Sequence, residues 1–301
     1  MIFDAHMHYL DFKQETKGFD FILKQMDDAN VSHAIIFGIP LAKQWDEYTQ
    51  IQRSNDYSRY YWYSATDYIL LEQYQKQNED VKKRLFPFVC GINPTDRNAV
   101  NHIRRLREVY PDSIYGVGEI FCRHGSQTHK LYGELPRADH PALMEVCDFA
   151  AENKLPVLVH NNISIAKNKD PMYLNEIVNL LSHNRKTNII WAHIGAFGSV
   201  SVSDILEITE RMLCENENLY CELSGAFYHY VQKNMLGWAE LIMKHSTRFL
   251  LASDGMPPYS DYASYYIGRY SKLLDLVDFE TKNKISYGNA LRLLNVQIDK
   301  V

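Results

Sequence analysis

Eight short apolar runs, rich in Ile, Val, Leu and Phe, recur along the chain at residues 2–8, 34–39, 85–92, 114–121, 155–160, 188–194, 219–224 and 249–253. Most are continuous rather than alternating, as expected of strands covered on both faces, and such strands belong to parallel sheets. Helical spacing fills the gaps. Phe19, Ile22, Leu23 and Met26 make one stripe; Val100, Ile103, Leu106 and Val109 a second; Leu143, Val146, Cys147 and Ala150 a third. Ile177, Val178, Leu180 and Leu181, then Ile205, Ile208 and Met212, then Trp238, Leu241 and Ile242 continue the series. Alternating strands and helices imply βαβ units. Eight such steps predict an α/β fold of the (β/α)8, or TIM-barrel, kind. The rival is an open doubly wound sheet, which usually has fewer strands and a glycine-rich first turn. No GxGxxG is present; Gly116-Val-Gly118-Glu119 stops short of it.

One connection is long. Residues 41–84, between the second and third strands, carry Trp45, Tyr48, Tyr57, Tyr60, Tyr61, Trp62, Tyr63, Tyr68 and Tyr74. Connections of this length are uncommon in compact domains and usually functional. Local helices capping one end of the barrel are expected here; an insertion packed on itself or on a neighbouring subunit is the alternative, and the latter would make a homodimer. After the eighth strand, 262–276, 280–286 and 289–295 read as helices closing the fold. With no repeat and no low-complexity linker, a single domain over 1–301 is the economical reading.

The composition fits a soluble globular chain: 301 residues, 46% hydrophobic and 23% charged, enough for a sizeable core. The net charge of −5 and the scattered Lys and Arg give no nucleic-acid footprint. No run of about 20 apolar residues offers a membrane span. The opening Met-Ile-Phe-Asp-Ala-His has no signal-peptide pattern. The five cysteines are odd in number and irregularly spaced, with no CxxC pair, and read as reduced thiols. A cytoplasmic location is expected.

The chemistry gathers where the strands end. His6 and His8 close the first run; residues two apart on a strand share a face and can hold one metal together. Glu119 ends the fourth run, His160 the fifth, His193 the sixth, and Asp254 follows the eighth. In a parallel barrel these ends face one mouth, where barrel enzymes keep their sites. Such a cluster is costly to desolvate unless paired. A divalent cation makes it favourable, and the nitrogen and oxygen donors suit zinc, manganese, iron or nickel.

This ordered set resembles the amidohydrolase superfamily, specifically its amidohydrolase-related group of TIM-barrel metal-dependent hydrolases. The pattern of HxH on strand one, His on strands five and six and Asp on strand eight is matched by His6, His8, His160, His193 and Asp254. Glu119 falls where that family often has a carboxylated Lys or a Glu. The late stretch Tyr287-Gly288-Asn289-Ala290-Leu291-Arg292-Leu293 resembles its GNA-x-R-L helix start. The resemblance implies that His6, His8 and His160 are metal ligands and that Asp254 is both ligand and proton shuttle. His193 would bind a second ion or stabilise charge on a substrate oxygen. If Glu119 bridges, the site holds two ions; if it points aside, one. Zinc is the first expectation for the metal, with Mn2+, Fe2+ or Ni2+ as alternatives.

Other polar residues carry weaker readings. Asp4, two before His6, should point to the same face at a lower level. Arg123 and His124 follow Glu119 and could meet an acidic substrate group, or form a solvated pair. Glu222, Ser224 and His229 sit at or after strand seven, and His229 could enter the site. Trp45 could line a substrate pocket. Asn161 and Asn162 are candidate donors, and Pro257-Pro258 starts a rigid loop. His33, His102, His140, His183 and His245 read as structural.

The expected activity is hydrolysis of an amide, ester, lactone or phosphoester bond in a small molecule. A metal-dependent decarboxylase or other lyase of an aromatic or unsaturated acid uses the same ligands; it needs one ion and a cation for the substrate carboxylate. A non-catalytic metal-binding barrel is the third reading, and the intact ligand set argues against it. No HExxH, GxSxG, Walker A or HxE with PCxxC is present.

Overall fold

The computed structural model describes residues 1–39, 64–124, 135–166, 168–198 and 200–297. Eight strands follow in sequence order around one sheet, each parallel to the next: β1 (Phe3–His8), β2 (His33–Phe37), β3 (Leu85–Val89), β4 (Gly116–Cys122), β5 (Val157–Asn161), β6 (Ile189–Trp191), β7 (Leu219–Glu222) and β8 (Phe249–Leu250). The ring closes beyond β8, where Ala5 N donates to Leu251 O at 2.9 Å, Asp254 N to His6 O at 2.9 Å and His8 N to Gly255 O at 2.8 Å. The fold is a (β/α)8 TIM barrel, as the apolar rhythm predicts.

The main helices between strands are α1 (Phe19–Asp28), α2 (Thr66–Gln75), α3 (Glu79–Lys82), α4 (Ala99–Val109), α5 (Pro141–Glu152), α6 (Leu174–His183), α7 (Ile205–Glu215) and α8 (Met235–Lys244). Buried apolar residues divide into two clusters that alternate along the strands. Ile35, Phe37, Phe86, Phe88, Leu158, Ile190, Tyr220 and Leu250 fill the barrel. Ala34, Ile36, Leu85, Val89, Val157, Val159, Ile189 and Trp191 face the helices. Both faces are therefore covered, which is why the strands read as continuous apolar runs.

Two expectations need correction. Helix α2, inside the long connection, does not cap the barrel. At its start Asp67 accepts the Cys90 and Gly91 N–H groups at 2.9 and 2.8 Å, beyond the end of β3, and near its finish Tyr74 Oη donates to Leu85 O at 3.1 Å, at the start of β3. It runs along the barrel wall as the crossover between β2 and β3. The remainder, 40–63, with Trp45 and most of the aromatic residues proposed as a dimer contact, lies outside the described residues.

Asp4 does not share the face of His6. The β1–β2 register shifts between Asp4 and Met7. Ala5 lies in the interior cluster and Met7 in the outer one, so the alternation breaks between Asp4 and His6. The bulge sends Asp4 to the helix side while His6 and His8 both enter the mouth.

The chain after β8 forms a π-helical turn (Ser264–Tyr270) running into α9 (Ser271–Leu274), then α10 (Phe279–Asn283), a second π-helical turn (Lys284–Gly288) and α11 (Asn289–Leu294). This matches the predicted closing helices in place, with π geometry that local spacing does not reveal. Among the described residues no helix is long and apolar enough to cross a membrane.

Candidate metal centre

Six strand-end side chains meet at the barrel mouth. Glu119 stands between two groups of candidate ligands. Its Oε2 lies 3.3 Å from His6 Nε2 and 3.7 Å from His8 Nε2, and both imidazole nitrogens are 3.2 Å from Asp254 Oδ1. Its Oε1 lies 2.9 Å from His160 Nδ1 and 3.5 Å from His193 Nε2. Side-chain exposure is at most 4% for the histidines and Glu119, and 21% for Asp254, so the centre opens to solvent beside Asp254.

The local backbone places these groups. The β4–β5 register shifts between Val117 and Ile120, around Glu119. Gly118, with φ +131°, has room for no side chain: a Cβ there would stand 2.3 Å from the Leu158 carbonyl oxygen. β6 ends at Trp191, and His193 follows in a short 3₁₀ turn with φ +55°; Asp254 has the same φ of +55°. Left-handed non-glycine residues are sparse and cluster at functional sites. Here they turn a side chain inward just past a strand end.

Tautomers follow from the partners. His8 Nδ1 lies 2.9 Å from Gly38 O, a pure acceptor, so Nδ1 carries the proton and Nε2 is free to ligate. His6 Nδ1 lies 3.1 Å from Glu222 Oε1 and likewise carries a proton, which leaves Nε2 as the nitrogen an ion would take. His6 Nε2 is buried and has two carboxylate oxygens close by, yet it makes no aligned hydrogen bond. Oxygens at contact distance without hydrogen-bond alignment are what a cation between them would produce, so these residues fit a divalent ion. His6, His8, Glu119 and Asp254 form one donor group; Glu119, His160 and His193 form the other.

The electrostatics are those of a centre with ionised carboxylates. Burial opposes ionisation of Glu119, but the field of His6, the hydrogen bond with His160 and the nearby His193 imidazole hold it well below the usual carboxylate range. Burial likewise opposes Asp254, and His6, His8 and His193 hold it down. Burial also disfavours a proton on His6, yet Glu119 and Asp254 outweigh it and raise His6 well above the ordinary imidazole value. For His160, burial dominates and lowers it. A divalent ion takes over the compensation that the His6 proton supplies here.

The other expected site residues fall elsewhere. Arg123 is tied to Glu176, with Nη2 2.5 Å from Oε1 and Nε 3.0 Å from both oxygens, and its guanidinium lies 4.1 Å over the Tyr173 ring. These bonds turn it away from the ligand cluster. His229 is exposed on the π-helical turn Phe227–Val231 and makes no contact with the cluster among the described residues. Trp45 lies outside them. His124 does reach the site, stacked on His160 with ring centroids 4.2 Å apart; Phe197 covers His193 at 4.6 Å.

The sequence sets Glu222 at strand seven without assigning it a role, and the structure seats it directly behind His6 and His193. The signal was present in sequence: it is another carboxylate at a strand end, like Glu119. Asp4 supports the centre from outside, accepting from His6 N (3.0 Å), Ser253 N (3.0 Å), Ser253 Oγ (2.6 Å) and Tyr262 Oη (2.9 Å).

No family model matches the chain, and no curated protein matches it. Solved structures match along almost its whole length. A probable 2-pyrone-4,6-dicarboxylic acid hydrolase from Acinetobacter baumannii is 16% identical, covering 98% of this chain and 99% of its own, with a TM-score of 0.62. A dihydroxybenzoic acid decarboxylase from Polaromonas sp. JS666, with bound manganese and an inhibitor, is 14% identical over 98% of this chain and 96% of its own, TM-score 0.57. An amidohydrolase from Burkholderia multivorans with bound zinc is 11% identical over 99% and 100%, TM-score 0.61. At these identities the likeness establishes the shared barrel.

Proposed function

We propose that the chain is a metal-dependent hydrolase of the amidohydrolase superfamily that cleaves an amide, ester, lactone or phosphoester bond of a small molecule. The observation that carries this reading is the position of Glu119, one oxygen facing His6, His8 and Asp254 and the other facing His160 and His193. A bridging carboxylate between two donor groups suits two ions. Bound there, divalent ions, zinc in the first place, lower the pKa of water towards neutrality and polarise the scissile bond. Asp254, the most exposed ligand, accepts the proton of the attacking water and returns it to the leaving group. His193 steadies the charge that develops on the substrate oxygen if its Nε2 is free of metal. The hydrolases and decarboxylases among the fold neighbours share this scaffold. Among the described residues Arg123, the cation the sequence offers for a substrate carboxylate in a decarboxylase, is bonded to Glu176, which favours hydrolysis. The free thiols at Cys90, Cys122, Cys147, Cys214 and Cys221 fit a reducing compartment, in line with a cytoplasmic enzyme.

Metal content per chain, measured by plasma mass spectrometry on untagged protein purified without chelator, is the test. The expected result is about two ions in the wild type and about one in Glu119→Gln, with hydrolysis of a lactone, ester, amide or phosphoester panel following metal content. Absence of bound metal, with no activity restored by Zn2+ or Mn2+, overturns the reading; one ion together with carbon dioxide release from aryl acids replaces it with a decarboxylase.

A further inference from the structure

We propose that Glu222 is the positioning residue that holds His6 and His193 with Nδ1 protonated and Nε2 turned to the centre, so that one buried carboxylate sets a ligand in each half of the site. Glu222 ends β7 and is fully buried. Its Oε1 faces His6 Nδ1 at 3.1 Å and accepts the His193 backbone N–H at 2.8 Å, with His193 Nδ1 3.3 Å away. Its Oε2 accepts the Ser224 N–H at 2.6 Å, and Ser224 Oγ lies 2.9 Å from His193 Nδ1. A carboxylate only accepts, so Glu222 fixes a hydrogen on His6 Nδ1, and its charge 3.3 Å from His193 Nδ1 favours a hydrogen there with the Ser224 hydroxyl as acceptor; a bound ion would take the opposite nitrogen and displace any hydrogen on it. For both imidazoles that opposite nitrogen is Nε2, the atom near Glu119. His8 obtains the same tautomer from the Gly38 carbonyl, a backbone group that no substitution removes. His6 and His193 depend on a side chain.

His6, His193 and Glu222 are close enough to be considered a cation site in their own right. The hydrogen bonds argue otherwise. Both Glu222 oxygens already accept backbone N–H groups, and a cation lodged among them would face the positive ends of those dipoles. The histidine-to-carboxylate contact is instead of the kind that orients a ligand from behind.

The proposal rests on the metal-dependent reading above, and zinc binding by the wild type tests that reading by itself. The experiment takes the full chain, strips its metal, and measures zinc affinity by competition with a chromophoric chelator in wild type, Glu222→Gln and Ser224→Ala. Long-range 1H–15N correlation then reads the protonated nitrogen of His6 and His193 in the zinc-loaded protein. The expected result is Nδ1–H on both residues in wild type, zinc binding weakened about 10–100-fold in Glu222→Gln, and weakening confined to one ion in Ser224→Ala. Wild type showing Nε2–H on His6 overturns the proposal without recourse to any variant. So does a folded Glu222→Gln chain that binds zinc as the wild type does and keeps both Nδ1–H signals. A wild type that binds no zinc overturns the metal-dependent reading itself, which separates the two failures.

Discussion

Asp4 lies on the helix side of β1, where its two oxygens accept four hydrogen bonds, two from Ser253 and one each from His6 N and Tyr262 Oη. Burial pushes its carboxyl up, and those donors pull the other way. It ties the backbone of His6 to the segment that carries Asp254, although it touches neither proposed ion. Asp4→Asn turns one acceptor into a donor facing a donor and should cost about 1–3 kcal/mol in urea unfolding, with activity falling alongside. Asp254→Asn acts differently. It removes the proposed proton acceptor, so kcat should drop by about 10²–10⁴-fold while the unfolding midpoint hardly moves; a variant within about twofold of wild type would refute the shuttle role.

At the level of elements, the bulges in β1 and β4 decide which side chains enter the mouth. Gly118 permits the second. A methyl group there meets the Leu158 carbonyl oxygen and must also adopt φ +131°. Gly118→Ala should destabilise the fold by about 2–4 kcal/mol, and because the displaced segment carries Glu119, zinc retention should fall with it. Equilibrium unfolding and metal content of the same preparation check both. The same elements limit what spacing alone could reveal. His6 and His8 share a face as their separation implies, because both lie beyond the β1 bulge; Asp4 lies before it, and parity fails. The sequence leaves Arg123 available for a substrate because its partner, Glu176, is 53 residues away on α6.

For the molecule as a whole, two pH effects follow. At the opposite end of the barrel from the site, His33 stacks on Phe3 and lies near Phe86, with ring centroids 5.9 and 6.3 Å apart. Burial, with help from Arg84, pushes it down to about 4 from an ordinary 6.5. The unfolded chain therefore takes up this proton first: stability falls as pH drops below 6.5 and levels off below about 4. Replacing His33 with Phe should reduce the loss of thermal stability between about pH 7 and about pH 5. At the candidate metal centre the shift runs the other way. His6 is raised, so the metal-free chain holds a proton there near neutrality that an ion must displace. Zinc titration calorimetry in buffers of different ionisation enthalpy should show proton release that fades as pH rises; buffer-independent heats would contradict this.

The barrel and the six side chains that meet at its mouth could be read from one chain because two rules are local. A strand covered on both faces is apolar throughout, and a parallel ring sends every strand end to the same mouth, so His6, His8, Glu119, His160, His193 and Asp254 had one place to meet. Their geometry is another matter. The left-handed turns at His193 and Asp254, the bulge that separates Asp4 from His6, the Glu119 carboxylate between two donor groups, and Glu222 behind two imidazoles all depend on contacts between distant segments. Periodicity records which face a residue occupies relative to its neighbours. It carries no record of the partner across the barrel, and the partner is what assigns each proton, orients each ring and leaves one carboxylate open to solvent.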